Sequence, residues 1–321
     1  MTPSSRAWSI TIPRARKEIC KTEKPPLHQV HSFQPFIYAI AFAIEPMNPH
    51  LLIAGHGYLG QEISRQASGA GWQVTSLSRS GGPGSLACDL SNPAQVEVLQ
   101  SRIRPACIIF SASSGRGGTE AYRAVFLEGT RNLLSTFPEA HLLFVSSTSV
   151  YHQVDGSLVT EESPTRPTRE TGQILLEAES QVLEATGTVA RLAGIYGPGR
   201  SVILRRLLEG SAVIEEDGRR FLNQIHRDDA ATALLHLTAH AESRDQIYNV
   251  CDSSPLHQGD CYQALSAIFQ KPIPPTGPRP EHRKRAWTHK RVSNEKLRGS
   301  GWEPTYCSFI DAAEAIATSL R

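Results

Sequence analysis

The chain reads as an α/β protein built on a doubly wound parallel sheet, and three observations predict it. Strand-like and helix-like stretches alternate from Asn48 onward. The strand-like runs are apolar at successive positions, as strands covered by helices on both faces must be. A glycine-rich turn, Gly55-His56-Gly57-Tyr58-Leu59-Gly60, joins the first of those runs to the first helical stretch.

The elements follow in order. Leu51-Leu52-Ile53-Ala54 is a buried first strand, and 61–71 is the helix after the turn. Residues 72–77 read as a second strand and 93–103 as a helix. Then come an apolar strand over 106–111, a long helix over 120–137 and a further apolar strand over 141–146. Residues 169–186 are helical and 188–192 form a strand. Crossovers between parallel strands should be right-handed. After Gly194 the pattern loses its regularity. Residues 202–208 suggest a short helix, and 212–216 and 219–224 flank Asp217-Gly218, a hairpin signal. Helices are expected over 228–240, 260–269 and 310–320, a strand over 246–250, and a Pro-rich basic loop over 271–291.

The glycine spacing gains meaning from its context. GxGxxG between a buried strand and a helix start is the dinucleotide-binding fingerprint. Gly55 allows the turn, Gly57 lets the backbone approach a pyrophosphate, and Gly60 lets helix and strand pack closely. The free amides at the start of the helix, from Tyr58 and Leu59, would face the phosphates. The fold is therefore Rossmann-type. Residues 47–195 are expected to form the NAD(P)-binding domain, and 196–321 a smaller α+β substrate lobe with elements returning to it.

Bulk properties narrow the class. A chain of 321 residues can bury a sizeable core. Its longest apolar run, 36–44, is too short to span a membrane. Six cysteines without a CxxC pair argue against a zinc site and a disulfide framework, and suit a reducing compartment. Residues 1–46 hold six Lys/Arg against three Asp/Glu, and the remainder 27 against 28. The folded part thus exerts no global pull on nucleic acid or acidic membranes. Residues 1–46 show no sustained period and are expected to be disordered. They read either as an organellar transit peptide or as an extension ahead of a natural start at Met47. The second is preferred, which places the protein in the cytoplasm.

Several later segments share one resemblance. Val145-Ser146-Ser147-Thr148-Ser149-Val150-Tyr151, Arg191-Leu192-Ala193-Gly194-Ile195-Tyr196-Gly197-Pro198-Gly199 and Ile225-His226-Arg227-Asp228-Asp229 resemble the SSxxVYG, RxxxIYGPG and IHVDD segments of extended short-chain dehydrogenase/reductases. That group is also called the NAD-dependent epimerase/dehydratase family. Gly129-Thr130-Arg131-Asn132-Leu133-Leu134 is similar to its GTxNLL helix. The resemblance implies that Asp89 and Leu90 meet the adenine, that Ser111, Ala112 and Ser113 flank the cofactor, and that Ala193, Gly194 and Ile195 lie against the carboxamide. The second strand ends Ser78-Arg79-Ser80 with no carboxylate for a ribose 2′-hydroxyl. Arg79 suits a 2′-phosphate, so NADP is preferred and NAD stays open. Family members often dimerise through two long helices, here 120–137 and 169–186, so a homodimer is an open expectation.

The catalytic positions depart from the family. Ser147 occupies the place of its substrate-orienting Ser or Thr. The general acid is normally a Tyr in a YxxxK pair whose Lys lowers the phenol's pKa. With Glu179 fixing the register, those positions fall on Thr171 and Leu175, and Phe126 replaces the family's Asn. The chain thus resembles an atypical branch lacking the pair. Tyr122 is the first-ranked substitute, ahead of Tyr151 and Tyr196, which read first as packing residues. His56 reads as a loop residue, and His226 and Asp229 as fixing a helix junction. The basic residues Arg279, His282, Arg283, Lys284, Arg285, Lys290 and Arg291 read either as a solvated loop or as a clamp for an anionic small-molecule substrate. Two functions remain: an NADP-dependent oxidoreductase or nucleotide-sugar epimerase-like enzyme with a non-standard proton donor, or a non-catalytic NADP-binding sensor or scaffold. No metal is implied.

Overall fold

A computed structural model describes residues 49–115, 117–279 and 286–320. The expectations for 1–46 and for His282 to Arg285 lie outside these residues.

Seven parallel strands make the central sheet: β1 (His50–Ala54), β2 (Gln73–Ser78), β3 (Leu86–Ala87), β4 (Cys107–Phe110), β5 (His141–Ser147), β6 (Thr188–Leu192) and β7 (Gln246–Val250). Their order is β7-β6-β5-β4-β1-β2-β3. From β1 the chain winds outward to β2 and β3, then returns to the other side of β1 through β4. Ligands in open α/β sheets bind at this reversal, beyond the carboxyl ends of the strands. Leu51, Leu52, Ile53 and Ala54 have no exposed surface, so β1 lies covered on both faces.

The covering helices are α1 (Tyr58–Gly69), α2 (Pro93–Leu99), α3 (119–136), α4 (Glu170–Glu184), α5 (Val202–Leu208), α6 (Arg227–Ala239), α7 (Gln258–Phe269), α8 (Glu295–Gly299) and α9 (Phe309–Ala317). Asn92 caps α2, its side chain accepting from the Gln95 amide, with Pro93 at the first helical position, where the missing N–H costs nothing. Helix α1 packs on α6, while α3 packs on α2 and α4. Helix α3 is not uniform: Arg123–Glu128 form a π-helical turn between α-helical ends. Such a turn is rare and frequently marks a functional site.

A second apolar cluster forms from α5, α7 and α9, including Leu204, Leu207, Tyr262, Leu265 and Phe309. Tyr196 joins it with its ring edge-on to Phe309 at 4.7 Å. The hairpin expected around Asp217-Gly218 is absent. Gly218 does turn at φ +72°, but Ile214–Glu215 pair with Thr276–Gly277 and Phe221–Leu222 with Leu256–His257. The turn signal is local, whereas strand pairing is decided by partners about 35 to 60 residues away in sequence.

Candidate functional site

The glycine turn stands at the carboxyl end of β1. The Gly55 and His56 amides both donate to the Leu77 carbonyl at the end of β2, at 3.1 and 2.7 Å. Ser111 Oγ, at the end of β4, donates to the Gly55 carbonyl at 3.0 Å. Gly55 has φ +125°, and a Cβ there would lie 2.3 Å from the Ala112 nitrogen. A Cβ on Gly60 would lie 1.9 Å from the Gly55 carbonyl oxygen. A Cβ on Gly57 would meet nothing within 4 Å. Two glycines are therefore required by the protein's own packing, and the third leaves open space in front of the backbone. No side chain caps α1, so its first amides are available to a ligand.

The turn forms one end of a cleft of about 890 Å3. Gly55, Gly57, Tyr58 and Leu59 line this end, and Arg79 lines the rim beside β2. Asp89 and Leu90 line the same rim. Ser111, Ala112 and Ser113 form the floor between β1 and β4. Ala193 and Ile195 line the far end together with Ser147 and Tyr122. Two of the sequence-named residues do not line it. Gly60 is buried beneath the turn, and the Gly194 amide donates to the Asn223 carbonyl at 3.1 Å. Of the contacts within the set, Asp89 Oδ1 accepts from the Ser91 amide and hydroxyl at 3.0 and 2.7 Å, holding the turn before α2. Arg79 is exposed and makes no ion pair among the described residues. These properties fit a dinucleotide: open space at Gly57, free amides at α1, and the exposed Arg79 guanidinium at the rim of the cleft.

The far end of the cleft is lined in part by apolar side chains, Phe126 and Ala193 among them. Leu175 on α4 lines it, and Thr171, one turn earlier, lines an adjoining side pocket of about 110 Å3. The chain has no tyrosine between Tyr151 and Tyr196, and no lysine between Lys24 and Lys271. Ser147 Oγ accepts from the Ser149 amide at 3.2 Å, which fixes the hydroxyl at the end of β5. Tyr122, Ser149 and Leu175 border both the cleft and the side pocket. The Tyr122 ring is edge-on to Phe126 at 5.1 Å, and Phe126 belongs to the π-helical turn.

A buried network holds this end. Arg191 on β6 pairs with Glu179 on α4 at 2.6 Å. Ser146 Oγ donates to Glu179 Oε1 at 2.5 Å. Arg191 Nη1 donates to Tyr151 Oη at 2.9 Å, and Tyr151 Oη donates to Asn249 Oδ1 at 2.9 Å. Burial pushes the Tyr151 phenol up despite the nearby Arg191, and pushes the Tyr196 phenol up further. Both side chains are fully buried. His226 accepts from the Asp228 amide at 3.2 Å, and Asp229 accepts from the amides of Thr305 and Tyr306 at 3.0 and 2.9 Å, which locks the start of α6.

The described members of the basic run, Arg279, Lys290 and Arg291, each have a partner within the protein. Arg279 pairs with Glu216 at 2.7 Å. Lys290 is buried and donates to the Tyr151 carbonyl at 2.9 Å, and Arg291 donates to the Gly156 carbonyl at 3.3 Å. Among the lining residues that the sequence did not point to are Arg200 in the cleft, and His152 and Trp287 in the side pocket. His152 was the most accessible from sequence, standing where the VYG segment has glycine. Arg200 and Trp287 reach their positions only through folding.

Comparison with known proteins agrees with this fold. A model of the NAD dependent epimerase/dehydratase family matches residues 51–251. Protein YeeZ of Escherichia coli is 30% identical over 225 residues, 64% of this chain and 77% of that protein. A Methylobacillus flagellatus structure, described as a candidate NAD-dependent epimerase/dehydratase, superposes with a TM-score of 0.71 at 28% identity. It covers 85% of this chain and 99% of its own. MoeE5, solved with UDP-glucose and NAD, shares the fold at a TM-score of 0.69 and 20% identity, over 85% of this chain and 97% of its own. The match across most of the sheet, together with the YeeZ relationship, establishes that the chain belongs to the NAD-dependent epimerase/dehydratase family.

Proposed function

We propose that the protein binds NADP in the cleft and acts as an oxidoreductase or epimerase on a small anionic substrate, with a proton donor other than the family's Tyr–Lys pair. The observation that carries this is a single cleft running from the Gly57 backbone and Arg79 to Ser147 and Tyr122. A bound nicotinamide supplies hydride transfer. The chain's residues supply the rest. The glycine turn and α1 amides hold the pyrophosphate, and Arg79 pairs with the 2′-phosphate. Ser147 orients a substrate oxygen at the end of β5. Tyr122 would donate a proton to that oxygen as it gains charge, and Leu175 and Phe126 would keep water from this end of the cleft. The bound UDP-glucose of MoeE5 supports an anionic substrate class.

A second reading is a non-catalytic NADP sensor. It is favoured by Leu175 in the position where the family places a charged partner for its tyrosine. Calorimetry with NADP+ and NAD+ tests the shared part of both readings. Arg79→Gln should weaken NADP+ by about tenfold and leave NAD+ unchanged. Equal affinity for the two dinucleotides in the unaltered protein would refute the NADP preference. Absorbance of reduced nicotinamide together with chromatography of the nucleotide sugar, with UDP-glucose as probe, separates the readings, because an epimerase leaves no net reduced cofactor. Turnover abolished by Tyr122→Phe supports the enzyme, and turnover unaffected by it removes Tyr122 as donor. No turnover supports the sensor.

A further inference from the structure

Gly197 and Arg200 close a tight turn, each amide donating to the other's carbonyl at 2.9 Å. Gly197 has φ +151° and Gly199 φ +71°, conformations that glycine adopts freely. The Gly199 amide donates to Ser319 Oγ at 2.8 Å, which anchors the turn to the end of the chain. The turn reaches the glycine-rich loop some 140 residues earlier, where Tyr58 Oη donates to the Pro198 carbonyl at 3.1 Å.

The Tyr58 ring carries two guanidinium groups, those of Arg200 and Arg227, each 5.2 Å from its centroid. They differ in their partners. Arg227 pairs with Asp228 at 2.8 Å and with Glu62 at 3.5 Å, so its charge is balanced within the protein. Arg200 has no ion pair among the described residues and lines the cleft beside Gly57 and Tyr58. An uncompensated cation, held by ring stacking next to free helix-start amides, is placed to meet an anion there.

We infer that Arg200 clamps the cofactor's pyrophosphate beside the glycine turn, with Tyr58 as the platform that holds its guanidinium in place. The inference rests on dinucleotide binding in this cleft. It adds a contact from the chain's second half, so that the Gly197–Arg200 turn closes the cleft over the phosphates. Arg79 and Arg200 then have separate tasks: Arg79 reads the 2′-phosphate, and Arg200 the diphosphate common to both cofactors.

The test is calorimetric titration of the full chain and its Arg200→Gln variant with NADP+, NAD+ and ADP-ribose. Arg200 is exposed, so the variant should fold normally. All three ligands are expected to bind about tenfold more weakly, since each carries the diphosphate. The gap should narrow in about 0.5 M salt, because the contact is exposed to screening. Tyr58→Leu should weaken all three ligands, whereas Tyr58→Phe, which keeps the ring, should retain most of the affinity. Unchanged affinity in Arg200→Gln for all three ligands would overturn the clamp. A loss confined to NADP+ would also overturn it, by assigning Arg200 to the 2′-phosphate. Absence of binding by the unaltered protein would remove dinucleotide binding itself, an outcome distinct from both.

Discussion

Two alanine substitutions three residues apart should have opposite effects, and the difference separates folding from binding. In Gly60→Ala the new methyl would lie 1.9 Å from the Gly55 carbonyl oxygen. Ordinary contact begins near 3.4 Å, so the turn and α1 must part by about 1.5 Å. Overpacking of this kind costs about 3 kcal/mol, which for a chain of this size lowers Tm by about 8 °C. In Gly57→Ala the methyl meets nothing within 4 Å, and the residue's φ of −91° suits alanine. Stability should therefore stay within about 0.5 kcal/mol of the parent. That methyl would instead occupy the space where a pyrophosphate approaches the backbone. Loss of one charge-assisted contact to the amides costs about 2 kcal/mol, or about thirtyfold in affinity for NADP+. The assays are thermal denaturation without ligand and calorimetric titration with NADP+. An unimpaired affinity in Gly57→Ala would refute the placement of the pyrophosphate. An unchanged Tm in Gly60→Ala would refute the close backbone approach.

Other outcomes follow from buried groups. Arg191→Met should cost about 3 kcal/mol in urea denaturation, because it strands the Glu179 carboxylate; Arg191→Met with Glu179→Met should recover part of that loss, and a double variant no better than the single would refute the pairing. Burial depresses the His141 imidazole from 6.5 to about 4. The unfolded chain therefore binds this proton first as pH falls, and stability should drop by about 2 kcal/mol between about pH 7 and 5. His141→Gln should remove that part of the pH dependence in denaturant titrations at the two pH values, and an unchanged slope would contradict it. Phe126→Ala should weaken packing around Tyr122, its ring partner at 5.1 Å. It should lower Tm by about 6 °C, and an unshifted Tm would contradict the packing.

Much of the sheet was legible because fully buried parallel strands impose continuous apolar runs. Leu51 to Ala54 and His141 to Ser146 were read with almost their final bounds. The turn at Gly55–Gly60 was legible for the same reason: its glycines answer to local backbone geometry. The pairing of the short lobe strands was not, because Ile214–Glu215 and Phe221–Leu222 find their partners far along the chain instead of across the Asp217-Gly218 turn. The π-helical turn in α3 was also silent, since Arg123 to Glu128 differ little in composition from an ordinary helical segment. At the cleft, motif residues were named from sequence, while Arg200 was not. Its position depends on Tyr58 and Pro198 meeting across the fold. Thr171 and Leu175 were singled out in sequence, and their placement beside Tyr122 required the structure.

The most direct test of the central claim is a crystal structure of the protein with NADP+. The diphosphate is expected against Gly57 and the first amides of α1, the 2′-phosphate at Arg79, and the nicotinamide between Ser147 and Tyr122. A dinucleotide bound outside this cleft, or one whose nicotinamide end lies away from Ser147 and Tyr122, would contradict the account.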